Sequence, residues 1–216
     1  MNCIHRTVAS VVEGMEPEAR LMGIGGSPRQ KGNSDLLLKH ILQGADQAGI
    51  VTASLQLREL EFKPCLGCEK CRKDKICTGL TDGMTSLYPL IYQSRGLVLV
   101  SPVHNYNITS WMKAFIDRLY CFYEFEDKRP GNWSTRMQGQ GRKAVLAAVA
   151  EQEDEYDLGF TLDAMQRPLE ALGYEIVGRL PVLGVFHRAG VQDRQKSLDE
   201  AEKLGNRLAR RIAADS

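Results

Sequence analysis

Residues 20–49 read RLMGIGGSPRQKGNSDLLLKHILQGADQAG. The stretch starts with a short apolar run, Leu21 to Ile24, that ends in glycines and reads as a buried strand. A polar turn follows, and then Leu37, Leu38, Ile41, Leu42 and Ala45 recur at helical spacing on one face. Asn33 or Ser34 can cap the start of this helix and Gly49 can end it. Strand, polar turn and amphipathic helix in fewer than thirty-five residues form one unit of an α/β architecture.

The same unit recurs along the chain. TASLQL (52–57) reads as a second strand and GLVLVSPV (96–103) as a buried third. KAVLAAVA (143–150) is a fourth, and YEIVGRLPVLGV (174–185) a fifth with a bulge at Gly178. Between and after them lie helical patterns. GMTSLYPLIYQS (83–94) carries Pro89 near its middle, which predicts a short or kinked helix. SWMKAFIDRLYCF (110–122) turns Trp111, Met112, Phe115, Ile116 and Leu119 inward. LDAMQRPLEALG (162–173) places residues 162, 165, 169 and 172 on one face, and the last helix buries Leu198, Ala201, Leu204, Leu208 and Ile212. EFEDKRPGNWSTRMQGQG (124–141) reads as a polar loop. Regular alternation of this kind predicts a doubly wound parallel sheet with helices on both faces. Five strands fit the flavodoxin-like order 2-1-3-4-5. The expectation is one domain over residues 1–216, with an N-terminal extension at 1–19 and a cysteine-rich insertion loop at 60–82 after strand 2.

Composition narrows the function classes. With 216 residues, 43% of them apolar and 25% charged, the chain can bury a full core without disulfide staples. A net charge of +1 gives no global field for nucleic acid or an anionic membrane. No apolar run is long enough to span a bilayer, and the first twenty residues lack the apolar core of a secretory signal. The expected location is the cytoplasm, where thiols stay reduced. The sequons at Asn107 and Asn132 are then chance matches.

In a sheet of this order, ligands bind beyond the carboxyl ends of the strands, at the switch between strands 1 and 3. The loop after strand 1, GGSPRQKGNS, is neither a Walker A loop nor G-x-G-x-x-G, because Pro28 stands where the third glycine would be. It still has the parts of a phosphate cradle. Ser27 and Ser34 offer hydroxyls, Asn33 an amide and Arg29 a forked cation, all just before a helix N-terminus. The loop after strand 3, SPVHNYNITS, brings flat and amide groups that can line a planar heterocycle. A simpler account of both is a polar turn with a capping Asn or Ser. The acidic EQEDEY (151–156) after strand 4 reads as a solvated run.

Together, GSPRQKGNSDLLL, KPCLGCEKC and SPVHNYNITSWMKAFIDR resemble the NAD(P)H-dependent FMN reductase group of flavodoxin-like proteins, and within it most of all the iron–sulfur flavoproteins. The resemblance runs from about residue 21 to 120 and more weakly beyond. It implies that FMN is bound by Ser27, Arg29, Gly32, Asn33 and Ser34, around its phosphate, and by Pro102, Val103, His104, Asn105 and Tyr106, which border the isoalloxazine ring. It also implies a homodimer or homotetramer and NAD(P)H as an electron donor. The chain departs from the family pattern at His104 and Asn105, where relatives more often carry an aromatic pair. It departs again at EQEDEY, where many carry a glycine-rich turn.

CLGCEKCRKDKIC (65–77) holds four of the six cysteines at spacing C-x2-C-x2-C-x5-C. Disulfides do not fit a reducing compartment, and structural zinc more often takes two separated C-x2-C knuckles. A tight C-x2-C-x2-C run is the pattern that wraps a cubane, with Cys77 near enough to supply a fourth ligand. The iron–sulfur flavoproteins that the chain resembles carry this compact arrangement. The expectation is a [4Fe–4S] cluster on Cys65, Cys68, Cys71 and Cys77, with a metal-free loop and a zinc site as alternatives. Lys63, Lys70, Arg72, Lys73 and Lys75 surround it and could tune such a cluster or steer an acidic carrier such as a ferredoxin. Cys121 reads as core and Cys3 stands alone. The resulting reading is an FMN-dependent oxidoreductase of the iron–sulfur flavoprotein type, with no side chain assigned as acid, base or nucleophile. The rivals are a cluster-free NAD(P)H-dependent FMN or quinone reductase, and a non-enzymatic carrier or zinc-stabilised scaffold.

Overall fold

A computed structural model of the chain describes residues 20–215. The expectations for the extension at 1–19 and for Cys3 lie outside them. The first unit folds as read: β1 (Leu21–Gly25), α1 (Asn33–Gln47) and β2 (Thr52–Gln56). There follow a short helix α2 (Lys70–Asp74), α3 (Gly83–Gln93), β3 (Gly96–Pro102) and α4 (Ser110–Arg118). A hairpin of β4 (Tyr123–Phe125) and β5 (Trp133–Thr135) leads to β6 (Lys143–Val149), α5 (Thr161–Ala171), β7 (Glu175–Val182) and α6 (Gln195–Ala214).

The five long strands form one parallel sheet in the order β2-β1-β3-β6-β7, which is the expected 2-1-3-4-5. Strand alternation divides the core in two. Met22, Ile24, Leu97, Leu99 and Leu146 face α3, α4 and α5, while Leu21, Val98, Val100 and Val145 face α1 and α6. Both faces of β1, β3 and β6 are therefore covered, and these strands need continuous apolar runs. Between β6 and β7 the register shifts after Ala144, which pairs with Ile176 while Val145 pairs with Gly178. That is the expected bulge. A Cβ on Gly178 would come within 2.5 Å of the Leu204 side chain, so close packing of α6 explains the glycine.

Three local expectations change. α3 runs eleven residues through Pro89, held by a buried apolar face and by an Asp82–Thr85 capping box at its start. The polar loop after α4 contains the β4–β5 hairpin, because Tyr123, Phe125 and Trp133 find one another: Tyr123 and Trp133 meet edge to face at 5.3 Å, and Phe125 stacks on Tyr120 at 4.9 Å. Trp111 is 38% exposed, since the inward stripe of α4 runs through Met112, Phe115 and Ile116.

Candidate functional site

The loop after β1 is shaped by backbone and buried polar contacts. Gly26 donates its N–H to the Val100 carbonyl at 2.8 Å and accepts the Thr109 hydroxyl at 2.7 Å, which ties the loop to β3 and to the start of α4. Ser27 is buried, and its Oγ accepts the Arg29 N–H at 3.2 Å. From below, Arg58 donates to the carbonyls of Ser27 (3.1 Å) and Arg29 (3.3 Å) and pairs with Asp35 at 2.8 Å. Arg58 thus holds the loop and neutralises the acid nearest to it. The sequence reading missed this residue, which sits just after β2 with nothing to distinguish it from a surface arginine.

Gly32 is the N-cap of α1 and provides no side-chain cap, so Asn33 and Ser34 fall inside the helix and not at its cap. Ser34 is buried at the start of the helix. The first N–H groups of α1 have no intrahelical acceptor, which leaves a ring of donors at this end of the helix. Asn33 reaches away. Its Nδ2 donates to the His187 carbonyl at 2.9 Å, and its Oδ1 accepts the Val191 N–H at 3.1 Å.

These groups line a cavity of about 170 Å³. Ser27, Pro28, Arg29, Gly32, Asn33 and Ser34 form one side, and Pro102, Val103 and His104 the second. Val149 at the end of β6, and Glu151, Val185, Phe186 and Arg188 from the loops after β6 and β7, complete the lining and were not found from the sequence. The donors suit a phosphate monoester, and the apolar members suit a flat ring. Asn105 and Tyr106 lie outside the lining. They form a two-residue turn with φ of 50° and 63°, closed by His104 N–H to Asn107 O at 2.8 Å and Asn107 N–H to His104 O at 3.1 Å. Tyr106 is 55% exposed and accepts the Phe160 N–H at 2.8 Å, so the turn is backed by the loop after β6.

A second cavity, of about 390 Å³, is lined by all four cysteines of the 65–77 segment, together with Leu66, Leu80, Asp117, Arg118 and Tyr120. The thiols are free. The Gly67 N–H points at Cys65 Sγ at 3.5 Å, and the Cys68 sulfur rests against Gly79. The chain bends around the cavity through left-handed backbone at Gly67, Glu69 and Lys75, with φ of 65°, 57° and 58°. Two of these are not glycine, a backbone cost that the surrounding structure must hold. Burial pushes the Cys71 thiol up, and Cys77, Cys65 and Cys68 push it further. Among the described residues no three His, Cys, Asp or Glu side chains converge on a single metal ion. A cubane asks for thiols spread around a larger body, which suits four sulfurs lining one cavity. Cys121 lies behind them, fully buried, with its thiol pushed up to about 12 by burial and then by Cys71 and Cys77.

α4 starts just beyond the loop that carries Pro102, Val103 and His104 to the first cavity, and about 12 Å further on it ends at Asp117 and Arg118, which line the cysteine cavity.

Comparison with known proteins decides the family. A profile described as NADPH-dependent FMN reductase matches residues 19–153. The chain belongs to the NADPH-dependent FMN reductase family. It is similar to an iron–sulfur flavoprotein of Archaeoglobus fulgidus, 29% identical over 191 residues, covering 88% of this chain and 79% of the relative. It is also similar to one of Methanocaldococcus jannaschii, 31% identical over 99 residues, covering 46% of this chain and 51% of the relative. The match thus spans about half of that second protein's length. Among solved structures, an FMN-dependent NADH-azoreductase of Bacillus anthracis in complex with FMN aligns with a TM-score of 0.65 at 17% identity, over 88% of this chain and 98% of its own. A flavodoxin from the Archaea aligns at 0.54 and 12% identity, over 89% and 98%. These two likenesses show the fold. Within it, the FMN reductase profile covers the first-loop cradle, the 65–77 cysteines and the 102–106 segment, but not the loop after β7.

Proposed function

We propose that this chain is an FMN-dependent oxidoreductase of the iron–sulfur flavoprotein type, passing electrons between FMN, a [4Fe–4S] cluster and an external carrier. The observation that carries the reading is the presence in one chain of a donor-ringed cavity at the loops after β1 and β3 and a four-thiol cavity at the C-terminal end of α4. FMN, when bound, supplies the conversion between two-electron and one-electron chemistry. The protein's part is to hold it. Ser27, Arg29, Gly32, Ser34 and the first N–H groups of α1 take the phosphate, while Pro102, Val103 and His104 border the ring, with Asn105 and Tyr106 as the turn beside it. Cys65, Cys68, Cys71 and Cys77 hold the cluster. NAD(P)H or a reduced carrier such as a ferredoxin is the donor. The chain works as a homodimer or homotetramer, in which a neighbour covers the aromatic edge at Tyr106, Tyr156 and Phe160, exposed at 55%, 84% and 69%. The location we propose is the cytoplasm; separately, among the described residues no helix is long and apolar enough to cross a membrane.

The second reading is a cluster-free NAD(P)H-dependent FMN or quinone reductase. It rests on the family match, which is to NADPH-dependent FMN reductases and names no cluster. An anaerobic visible spectrum with iron and sulfide analysis separates the two. A flavin spectrum with a broad overlay and about four iron per chain is expected for the cubane. Normal FMN binding with no iron after anaerobic reconstitution leaves the second reading. For the flavin itself, Arg29→Ala removes a charged donor from the phosphate, a contact of about 1.5–3 kcal/mol, so FMN affinity falls roughly 10–100-fold. Riboflavin, which lacks the phosphate, responds far less. Equal loss for both ligands removes the phosphate assignment.

A further inference from the structure

The loop after β7 carries a cation that no motif announces. Arg188 lines the same cavity as Ser27, Arg29 and Ser34. It also forms, with Arg29 and Gln30, the rim of an open basin on the outer side of the cradle. The guanidinium groups of Arg29 and Arg188 thus flank one gap from two loops. Neither has a carboxylate partner among the described residues. The acid closest to the first loop, Asp35, is already taken by Arg58. Two unpaired guanidinium groups beside a helix N-terminus are arranged for a doubly charged anion.

Arg188 is there because its loop is fixed. At the base, Gly184 donates to the Gln152 carbonyl at 2.9 Å and its own carbonyl accepts Arg194 at 3.0 Å. Val191 is fully buried. Ala189 turns the chain with φ of 61°, and Gly190 donates back to the His187 carbonyl at 3.0 Å. The link to the cradle is Asn33. Its amide spends the donor on His187 O and the acceptor on Val191 N–H, the residues on either side of this turn. A side chain that reads as a phosphate ligand is committed to the loop that carries Arg188.

We infer that Arg188 is a second guanidinium ligand of the FMN phosphate, and that Asn33 is a positioning residue that holds it there. The inference rests on the FMN reading above and goes beyond it in the residues it names. A phosphate monoester carries about −1.5 to −2 charges at neutral pH, and Glu151 adds a carboxylate to the same lining, so one exposed arginine and a helix end fall short of balance. The second arginine closes the deficit from the opposite side.

The test measures FMN and riboflavin dissociation constants, by fluorescence quenching, for the whole chain and five variants, with Arg29→Ala as the reference for the FMN reading. Arg188→Ala should weaken FMN roughly 10–100-fold and leave riboflavin within about twofold, as expected for a lost charge-assisted contact. Arg188→Lys should recover part of the loss. Asn33→Ala should also weaken FMN selectively, and Asn33→Ala/Arg188→Ala should be no weaker than the more damaging single variant, because the two residues act through one contact. Thermal melts of the ligand-free variants should match the parent for Arg188→Ala, whose side chain is exposed. If the parent binds neither flavin, the FMN reading and this inference fall together. If Arg29→Ala is selective for FMN but Arg188→Ala is not, the FMN reading stands and the inference is overturned. Additive losses for Asn33 and Arg188 overturn the positioning role of Asn33. An Arg188→Ala change felt only in the KM for a pyridine nucleotide also overturns the assignment.

Discussion

Arg118 grips Asp82 with both ends of its guanidinium, Nη1 to Oδ2 at 2.7 Å and Nη2 to Oδ1 at 3.0 Å, directly beneath the cysteine cavity. The side chains are 1% and 11% exposed. Arg118 also donates to the Lys63 carbonyl at 2.8 Å and to the Tyr88 hydroxyl at 3.0 Å. Asp82 accepts the Lys63 N–H at 3.0 Å and caps α3 through the Met84 N–H at 3.1 Å. One ion pair therefore fastens the entrance of the cysteine segment to two helices. Removing one partner of a buried pair leaves the other uncompensated, at about 3–5 kcal/mol. Asp82→Asn should lower stability by that amount in urea denaturation. A loss below about 1 kcal/mol would mean that the pair is not buried in solution.

The same carboxylate sets an acid limit. Burial raises the Asp82 pKa, but Arg118, the Lys63 and Met84 N–H groups outweigh burial and hold it below the usual carboxylate value. A carboxyl whose folded pKa is depressed contributes stability that is fully present above its unfolded value of about 3.9. That stability is lost as the pH falls through the folded value. The parent should therefore lose stability on acidification through and below this range. Asp82→Asn should be weaker at neutral pH and show a flatter acid limb. Parallel acid limbs for the two proteins would assign the acid sensitivity to other groups.

The thiols should divide into two classes. Cys121 is 2% exposed and its pKa is pushed to about 12, so it should resist alkylation in the native, metal-free protein. Cys65 and Cys68 are exposed and should label first, with half-buried Cys71 slower. Serine at any of Cys65, Cys68, Cys71 or Cys77 should degrade or remove the iron, while Cys121→Ser keeps it. Mass spectrometry of timed labelling and iron analysis read both. Early labelling of Cys121 would contradict the packing behind the cavity.

The crossing of α1 and α6 uses two glycines reciprocally. A Cβ on Gly44 would strike the Glu202 carbonyl, and one on Gly205 would strike the Ile41 carbonyl. Alanine is the better helix former by about 1 kcal/mol, but overpacking typically costs about 1–3 kcal/mol, and here the obstacle is backbone. Gly205→Ala should therefore lower the melting temperature. Adding Gly44→Ala should cost less than it does alone, because the first change already separates the helices. A rise in melting temperature for either single variant would show that the helices can move apart freely.

Some of this was legible in the sequence, and the reasons differ by element. β1, β3 and β6 are covered on both faces, so their apolar runs are continuous, and the sheet order followed from their alternation with helices. The cradle of Ser27, Arg29 and Ser34 was visible because its residues are local. Arg58 and Arg118 were not, because each works through partners distant in sequence, and Arg188 was not, because the tie between its loop and the cradle is made by Asn33, far away in sequence. The hairpin escaped because each of its strands has only three residues, too few for a period to show. Its effect reaches the cysteines, since the charges that read as a field around them are partly engaged with it.

The last prediction concerns that engagement. The Arg72 guanidinium lies 4.5 Å from the centre of the Phe125 ring, and its Nη2 donates to the Glu126 carbonyl at 2.8 Å. Arg136 donates to the carbonyls of Lys75 at 2.5 Å and Cys121 at 2.7 Å, and Glu69 pairs with Arg129. The β4–β5 hairpin and the strand exit beyond it thus brace the cysteine segment along its length. The segment has no buried helix of its own: α2 is five residues long and none of them is buried. Its order must come from neighbours. An exposed cation–π contact is worth about 0.5–1 kcal/mol, so Phe125→Ala should raise the local opening of the segment roughly 2–5-fold. In metal-free protein, alkylation of Cys71 should accelerate by that factor. FMN affinity should not change, because no hairpin residue lines the cavity proposed for FMN. Global stability should fall little, and Arg72→Ala, which also loses the donor to the Glu126 carbonyl, should open the segment at least as much as Phe125→Ala. Labelling rates that are unchanged in both variants would show that the cysteine segment holds its shape without the hairpin.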